Sequence, residues 1–433
     1  MSDYIVANGT TLEGDSVDIE IADGYIEGIL PAGKGNWGAY DADQRFDAEG
    51  RLVTPPLVEP HTHIFNSLSE GRPNKNQQGT LEQGWRTGEL NREGRTKESV
   101  KARARRVISW FATYGITRVR THLNVSDAEA SRYTSAEAML EIRAEFAGTV
   151  ELQLVGVPSP GFARDEALYD RLETMLEMGI DVVGGWPHRE DTREKGIAHV
   201  QAALELAEEY DRPVDLHIDE TDDPHSRYTE VLASMANDLG IGERVTASHT
   251  TAMHSYPNAY ADKLRRLLAK SGVSVITNPL SNAVLQGRYD DYPRRRGHTR
   301  VDELSEAGVT VGVGQDDISD SANPYGDGDP LKMLYHFAHF AHKNRLDDAA
   351  DLWEMLTENN AEVYGLDLEE YGIDVGNEGS LVVYDSDTAF DAIRTIAPRN
   401  LVLSYGNPLA TTERTASVTY NDDEEVDFSR DLP

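Results

Sequence analysis

The stretch Leu52-Val53-Thr54-Pro55-Pro56-Leu57-Val58-Glu59-Pro60-His61-Thr62-His63 is an apolar run that ends in two histidines one residue apart. Alternate side chains of a strand share a face, so His61 and His63 point the same way, as two ligands of one metal ion do. A lone His-x-His pair also occurs as packed, hydrogen-bonded histidines, because imidazole serves both purposes. Position favours the metal here. The pair closes a strand apolar enough to be buried on both faces, and similar strand ends follow along the chain.

Outward from this stretch, strand-like and helix-like runs alternate. Strands are predicted over 57–63, 117–124, 151–158, 181–186, 213–219, 244–249, 274–279 and 309–315, with helices over 96–114, 135–146, 166–178, 196–210, 228–239 and 256–271. Near-continuous apolar strands separated by helices imply a parallel sheet, and eight such repeats imply a closed (β/α)8 TIM-like barrel. The segment before it holds strand runs over 4–7, 16–21 and 25–30, with Asp23-Gly24 as a hairpin turn. The same texture returns at 379–384 and 399–406, so both chain ends are expected to build one small composite β-sandwich. The expected division is 1–54 and 376–433 for the sandwich and 55–375 for the barrel. Residues 66–95, rich in Asn, Gln and Gly, read as a long insertion without periodicity, either disordered or part of a binding site.

The chain of 433 residues carries 41 Lys+Arg against 76 Asp+Glu, a formal charge of −35. Such a surface repels nucleic acid and anionic membranes, so neither is expected as a partner. The acidic residues are spread along the whole chain and arginine outnumbers lysine, a pattern of salt-accumulating halophiles or of an acidic cytosolic enzyme. Cysteine is absent, which leaves His, Asp and Glu as the donors for any zinc site. The N-terminus lacks the basic and apolar segments of an export signal and no run approaches a membrane span, so a cytoplasmic protein is expected. A homo-oligomer stays open.

Polar residues gather at the C-terminal ends of the predicted strands: His61 and His63 on the first, His122 on the second, His217 on the fifth, His249 on the sixth and Asp316 just after the eighth. That face carries the active sites of such barrels. His61, His63, His217 and Asp316 are the expected metal ligands, with room left for water. Three imidazoles and a carboxylate suit one divalent ion, Fe2+ or Zn2+, without choosing between them. Glu220, three residues past His217, is placed to carry protons for a metal-activated water, although alone it would read as a surface carboxylate. His249 either orients the attacking water or is a hydrogen-bonded core histidine. His122 reads as a support or a structural residue, Arg118 and Arg120 as interior partners of carboxylates, and His336, His339 and His342 as one face of a helix.

The segments Pro60 to His63, Pro73 to Leu81, Val119-Arg120-Thr121-His122, His217-Ile218-Asp219-Glu220, Val245 to Tyr256 and Gln315-Asp316-Asp317 together resemble the cytosine deaminases of the amidohydrolase superfamily, in order and with similar spacing over nearly the whole chain. The resemblance implies a barrel with a composite β domain, iron or zinc on His61, His63, His217 and Asp316, and catalytic proton transfer by Glu220 with His249 and Asp316. It differs from the small cytidine-deaminase fold, whose zinc needs cysteines. The fourth strand lacks the lysine that often bridges two metals in this superfamily, which favours one ion. The expected reaction is hydrolysis of the exocyclic amine of cytosine, or of a related small-molecule amino-heterocycle, to the oxo product and ammonia. The rivals are isocytosine, a creatinine-like ring, an alkylamino triazine, or a catalytically silent binding barrel.

Substrate contacts are expected from Leu81, Val157, Ser159 and Asp317. Here the chain departs from the family. Ser159 stands where those deaminases place a glutamine, Val157 where they place an aromatic residue, and 318–324 lacks their tryptophan. Smaller side chains imply a roomier pocket and a substrate bulkier than cytosine.

Overall fold

Asp23 and Gly24 both have positive φ, 50° and 84°, the geometry of a two-residue hairpin loop, and Ala22 pairs with Tyr25 across it. Around this turn the computed structural model, which describes residues 3–71, 74–92, 95–125, 132–158, 161–162, 167–418 and 424–425, forms a first sheet. It contains β1 (Tyr4–Thr10), β2 (Ser16–Ala22), β3 (Tyr25–Pro31) and β4 (Arg45–Asp47) in the order β3-β2-β1-β4. After β5 (Val53–Thr54) come β6 (Leu57–Thr62), α1 (Leu81–Arg92), α2 (Lys97–Thr113), β7 (Ile116–Val125), α3 (Thr134–Phe146), β8 (Glu151–Pro158), α4 (Ala167–Glu177), β9 (Val182–Gly185) and α5 (Arg193–Glu209). The repeat continues through β10 (Val214–Ile218), α6 (Tyr228–Leu239), β11 (Val245–His249), α7 (Asn258–Ser271), β12 (Ser274–Thr277), α8 (Pro279–Leu285), α9 (Val301–Ser305) and β13 (Val311–Val313). Then follow α10 (Pro330–Phe340), α11 (Asp348–Leu356), α12 (Glu358–Tyr364), β14 (Leu381–Tyr384), α13 (Ala389–Thr395), β15 (Arg399–Ser404) and β16 (Asn407–Ala410).

Strands β6 to β13 make one sheet in sequence order, every pair parallel. All residues of β6, β9, β10, β11, β12 and β13 are buried, which is why these strands read as continuous apolar runs. The eight strands are those the sequence predicts. The second sheet has the order β16-β15-β14-β5 and joins the chain ends, with Val53 and Thr54 pairing to Val383 and Val382. The two small sheets share a core of Val6, Ile19 and Ile21 with Val53, Leu381, Val383, Leu401 and Leu403. Arg118 pairs with Glu378 at 2.7 Å and ties this module to the barrel. No helix among the described residues is long and apolar enough to cross a membrane. Two details differ from expectation. The 66–95 insertion contains α1, and α10 includes His336 and His339 but stops before His342.

The seam between β6 and β13 carries a bridge between Thr62 and Asp316, and side chains complete it. Asn360, fully buried on α12, donates from Nδ2 to the carbonyls of Val58 (2.8 Å) and Val313 (2.9 Å) and accepts from Val313 N–H (2.9 Å). Gly312 makes this approach feasible, because a Cβ there would lie 2.4 Å from Asn360 Oδ1. From the other side Glu59 Oε1 accepts from the N–H groups of His61 and Gln315, both at 3.0 Å.

Asn360→Ala would leave those three backbone groups buried without partners, each costing about 1–3 kcal/mol. The variant should lose at least about 3 kcal/mol of unfolding free energy, read from denaturant midpoints. An unchanged midpoint would show that the seam does not depend on this amide.

Candidate metal centre

Because β6 alternates, Glu59 and His61 face the barrel interior, and His63 follows just beyond the strand end. Asp316 arrives across the seam: its N–H donates to the His61 carbonyl (2.8 Å), and His63 N–H donates to its carbonyl (3.1 Å). With φ at 61° the chain turns sharply here, and the carboxylate lies 3.5 Å from His61 Nε2 and 3.2 Å from His63 Nε2. His217, from β10, brings Nε2 to 3.1 Å from His63 Nε2. His249 ends β11 with φ at 72°, its ring centre 4.9 Å from that of His61 and 5.0 Å from that of His217. Four imidazoles thus converge on one carboxylate.

Burial first, then the neighbouring rings, holds His217 well below the usual imidazole value; burial does the same to His249, against the pull of Asp316. Neutral rings present lone pairs, as a cation requires. Three sets of donor atoms lie within 4.8 Å of one another: His61, His217, His249 and Asp316; His61, His63 and His122; and His63, Asp316 and Asp317. The expected quartet is thus split between overlapping sets, and His249, His122 and Asp317 join it. His122 is fully buried, its ring 4.0 Å from that of His61, and burial pushes it down to about 3.

The donor set fits a metal ion on a specific observation. His61 Nε2 is buried and has no hydrogen-bond partner, while the far side of the ring is fully engaged. His61 Nδ1 lies 3.0 Å from Ser248 Oγ, which donates to Asp215 Oδ1 at 2.6 Å, and Arg120 Nη1 donates to Asp215 Oδ2 at 3.2 Å. Ser248 spends its proton on Asp215, so it accepts from His61 Nδ1–H, and the Nε2 lone pair faces the centre.

A cavity over this cluster is lined by His63, His217, Glu220, Asp316 and Asp317. Glu220 follows Asp219, whose carboxylate fixes the loop by accepting from Tyr228 N–H (3.0 Å) and Thr229 N–H (2.8 Å) at the start of α6. Burial and then the Asp316 charge push the Glu220 carboxyl well above its usual range, against Arg189. Burial, then Asp316 and Asp320, raise Asp317 likewise.

Of the expected substrate contacts, Leu81 and Asp317 line the cavity. Ser159 lies outside the described residues. Val157 does not line the cavity; it packs with Val155, Val182 and Trp186, and Trp186 does line it. Trp186, just past β9, packs with this small valine and is the one of the two that lines the cavity, which departs from the expectation that Val157 faces the substrate. The Trp186 backbone N–H donates to His199 Nε2 at 3.2 Å, and His199 Nδ1 lies 2.8 Å from Glu190. Sequence reasoning also missed Trp85 on α1 and Arg189. The Arg189 guanidinium lies 3.9 Å from the Trp85 ring centre and 4.8 Å from that of Trp186, within cation–π range. Trp-Pro-His-Arg directly after a barrel strand was the available signal.

A sequence model described as Amidohydrolase family matches residues 73–405. An N-isopropylammelide isopropyl amidohydrolase of Pseudomonas sp. (strain ADP) is 28% identical over 417 residues, covering 95% of this chain and 98% of its own. A pterin deaminase of Rhizobium rhizogenes is 29% identical over 376 residues, covering 85% and 82%. Among solved structures, 5-methylcytosine deaminase from Klebsiella pneumoniae liganded with 5-fluorocytosine superposes with a TM-score of 0.90 at 37% identity, covering 95% of this chain and 98% of that one.

Ser248→Ala removes the acceptor that fixes His61. Groups that orient a ligand ring are typically worth 10–100-fold in metal affinity, so chelator competition should show a loss of about 10-fold or more in a folded protein. Unaltered affinity would show that His61 is held by packing alone.

Proposed function

The chain belongs to the amidohydrolase family, and from that premise we propose that it is a deaminase of free amino-heterocycles in the cytoplasm, with cytosine or 5-methylcytosine as the leading one-ring substrate. Water replaces the exocyclic amine, giving the oxo product and ammonia. The observation that carries this reading is Glu220: a buried carboxyl, its pKa raised well above the usual range by burial and the Asp316 charge, in the wall of the cavity that also exposes His63, His217 and Asp316. Such a group can hand a proton to a ring nitrogen and take another from an attacking water. The 37% identity to a 5-methylcytosine deaminase over nearly the full length supports the substrate class.

In this reading His61, His63, His217 and Asp316 hold one divalent ion, iron or zinc. When bound, it would make a water acidic enough to attack at neutral pH. Glu220 delivers its proton to the ring nitrogen beside the amine-bearing carbon, which makes that carbon electrophilic. It then collects one proton of the attacking water and passes it to the departing amine, so that ammonia leaves; the second water proton, released as the C–OH becomes the C=O of the product, returns the carboxyl to its starting state. His249, 3.8 Å from Glu220 Oε1 and within 3.1 Å of the Asn282 amide, orients the attacking oxygen from the opposite side. Leu81 and Asp317 contact the ring. The division into a barrel domain, 55–375, and a composite β domain, 1–54 with 376–433, belongs to the same reading.

The test is ammonia release from a panel of amino-heterocycles by metal-analysed protein. Glu220→Gln should keep its metal and lose roughly 10²–10⁴-fold in turnover, the usual worth of acid–base help. Loss of metal in that variant would make Glu220 a ligand. His61→Ala and Asp316→Ala should lose metal and turnover together; stoichiometric metal with full activity in both would refute the assigned ligands.

A further inference from the structure

Two cavities meet at Glu220. The inner one, over the metal-centre residues, spans about 70 Å³; the outer one, between α1 and the segment after α8, spans about 280 Å³. Leu81, Trp85, Arg189 and Glu220 line both. The partition is thus made of side chains, and its centre is the Arg189 guanidinium against the flat faces of Trp85 and Trp186. Such faces also accept a flat heterocycle, edge-on or offset.

The outer cavity carries two unpaired polar groups. Gln286 is 6% exposed and its Nε2 has no partner. His188 Nδ1 lies 3.2 Å from the His217 carbonyl, to which it donates. The Nε2 of that neutral ring is therefore an acceptor, and it is buried and unpartnered. Buried polar groups are almost always paired, because leaving one without a partner is costly. A donor and an acceptor left open beside one cavity complement a ligand edge that offers the reverse, as the C=O and N–H of a lactam do. His188 comes from the turn after β9 that also supplies Arg189 to the partition, and Gln286 from the end of α8 on the outer wall.

We infer that the site takes a two-lobed substrate: the aminated ring lies in the inner cavity, and a second, fused ring with a lactam-like edge passes the Trp85–Arg189 partition into the outer one, where Gln286 and His188 read it. The inference rests on the deaminase reading above and adds the substrate's second half. Isoxanthopterin, an aminated ring fused to a second ring that itself carries a lactam C=O and N–H, is the probe. Wild-type protein should release ammonia from isoxanthopterin with a kcat/KM about 10-fold or more above that for cytosine, and Gln286→Leu should lower the isoxanthopterin value about 10-fold more than the cytosine value, as expected for one lost buried hydrogen bond. Tyr289→Ala, which alters an exposed residue of the same wall, should raise KM for isoxanthopterin more than for cytosine and covers the case in which Gln286→Leu does not fold. Equal losses on both substrates would make the outer cavity an entrance only, and a wild-type preference for cytosine would remove the second lobe; either result overturns the inference and leaves the deaminase reading standing. Absence of ammonia from every heterocycle would overturn both.

Discussion

The backbone bridge between Thr62 and Asp316 is the contact on which the rest depends, because it closes the barrel and assembles the candidate metal centre in one step. Asp316 has φ at 61°, a conformation that costs a non-glycine residue about 1–3 kcal/mol unless its surroundings enforce it. They do: its N–H and C=O are both held by β6, at His61 and His63, and Thr62 Oγ1 donates to the same carbonyl at 2.9 Å. A flatter seam would carry the carboxylate past the imidazoles. Below it, burial lifts the Glu59 carboxyl to about 8 although two backbone N–H groups pull it down, so the floor of the site adds little negative charge under Asp316 near neutral pH.

Much of this was legible in the sequence because parallel strands buried on both faces appear as uninterrupted apolar runs, and the functional face of such a barrel is at known strand ends. His61, His63, His217, His249, Asp316 and Glu220 were named from those ends, and the structure brings them together. Helix α1 was not legible, for a physical reason. Its buried positions fall at helical spacing, residues 81, 84, 87 and 91, but they are Leu81, Gly84, Thr87 and Asn91. A buried face made of one apolar and three small or polar residues gives no hydrophobic periodicity to detect, and such a face suits a helix that covers a polar cavity.

The substrate wall illustrates a second limit. Val157 was read as a contact because the resemblance puts an aromatic residue of the substrate wall there, and in the structure it packs with Trp186, which lines the cavity. Interiors are close-packed, so the volume given up by one strand is filled from its neighbour. Gly184 takes part in the exchange: a Cβ there would fall 2.8 Å from side-chain carbons of both Val155 and Val157, so the glycine lets the β8 valines lean across β9. A reading of single positions detects the missing aromatic ring on β8, but not the indole that replaces it from the turn after β9.

The electrostatics of the site follow from crowding. Glu220, Asp316 and Asp317 line one cavity, and three ionised carboxylates cannot share so little water. Burial and the Asp316 charge raise the carboxyls of Glu220 and Asp317 well above their usual range, whereas Asp316, with imidazoles at 3.2 and 3.5 Å, is the one best placed to carry the negative charge. The acid that donates and the carboxylate that binds are therefore chosen by their neighbours and not by residue type. Arg189, stacked against two tryptophans, works against the shift of Glu220. A bound cation acts in the same sense as Arg189, so the residues that attract the ion also bring the Glu220 proton closer to the range in which it can be given and regained.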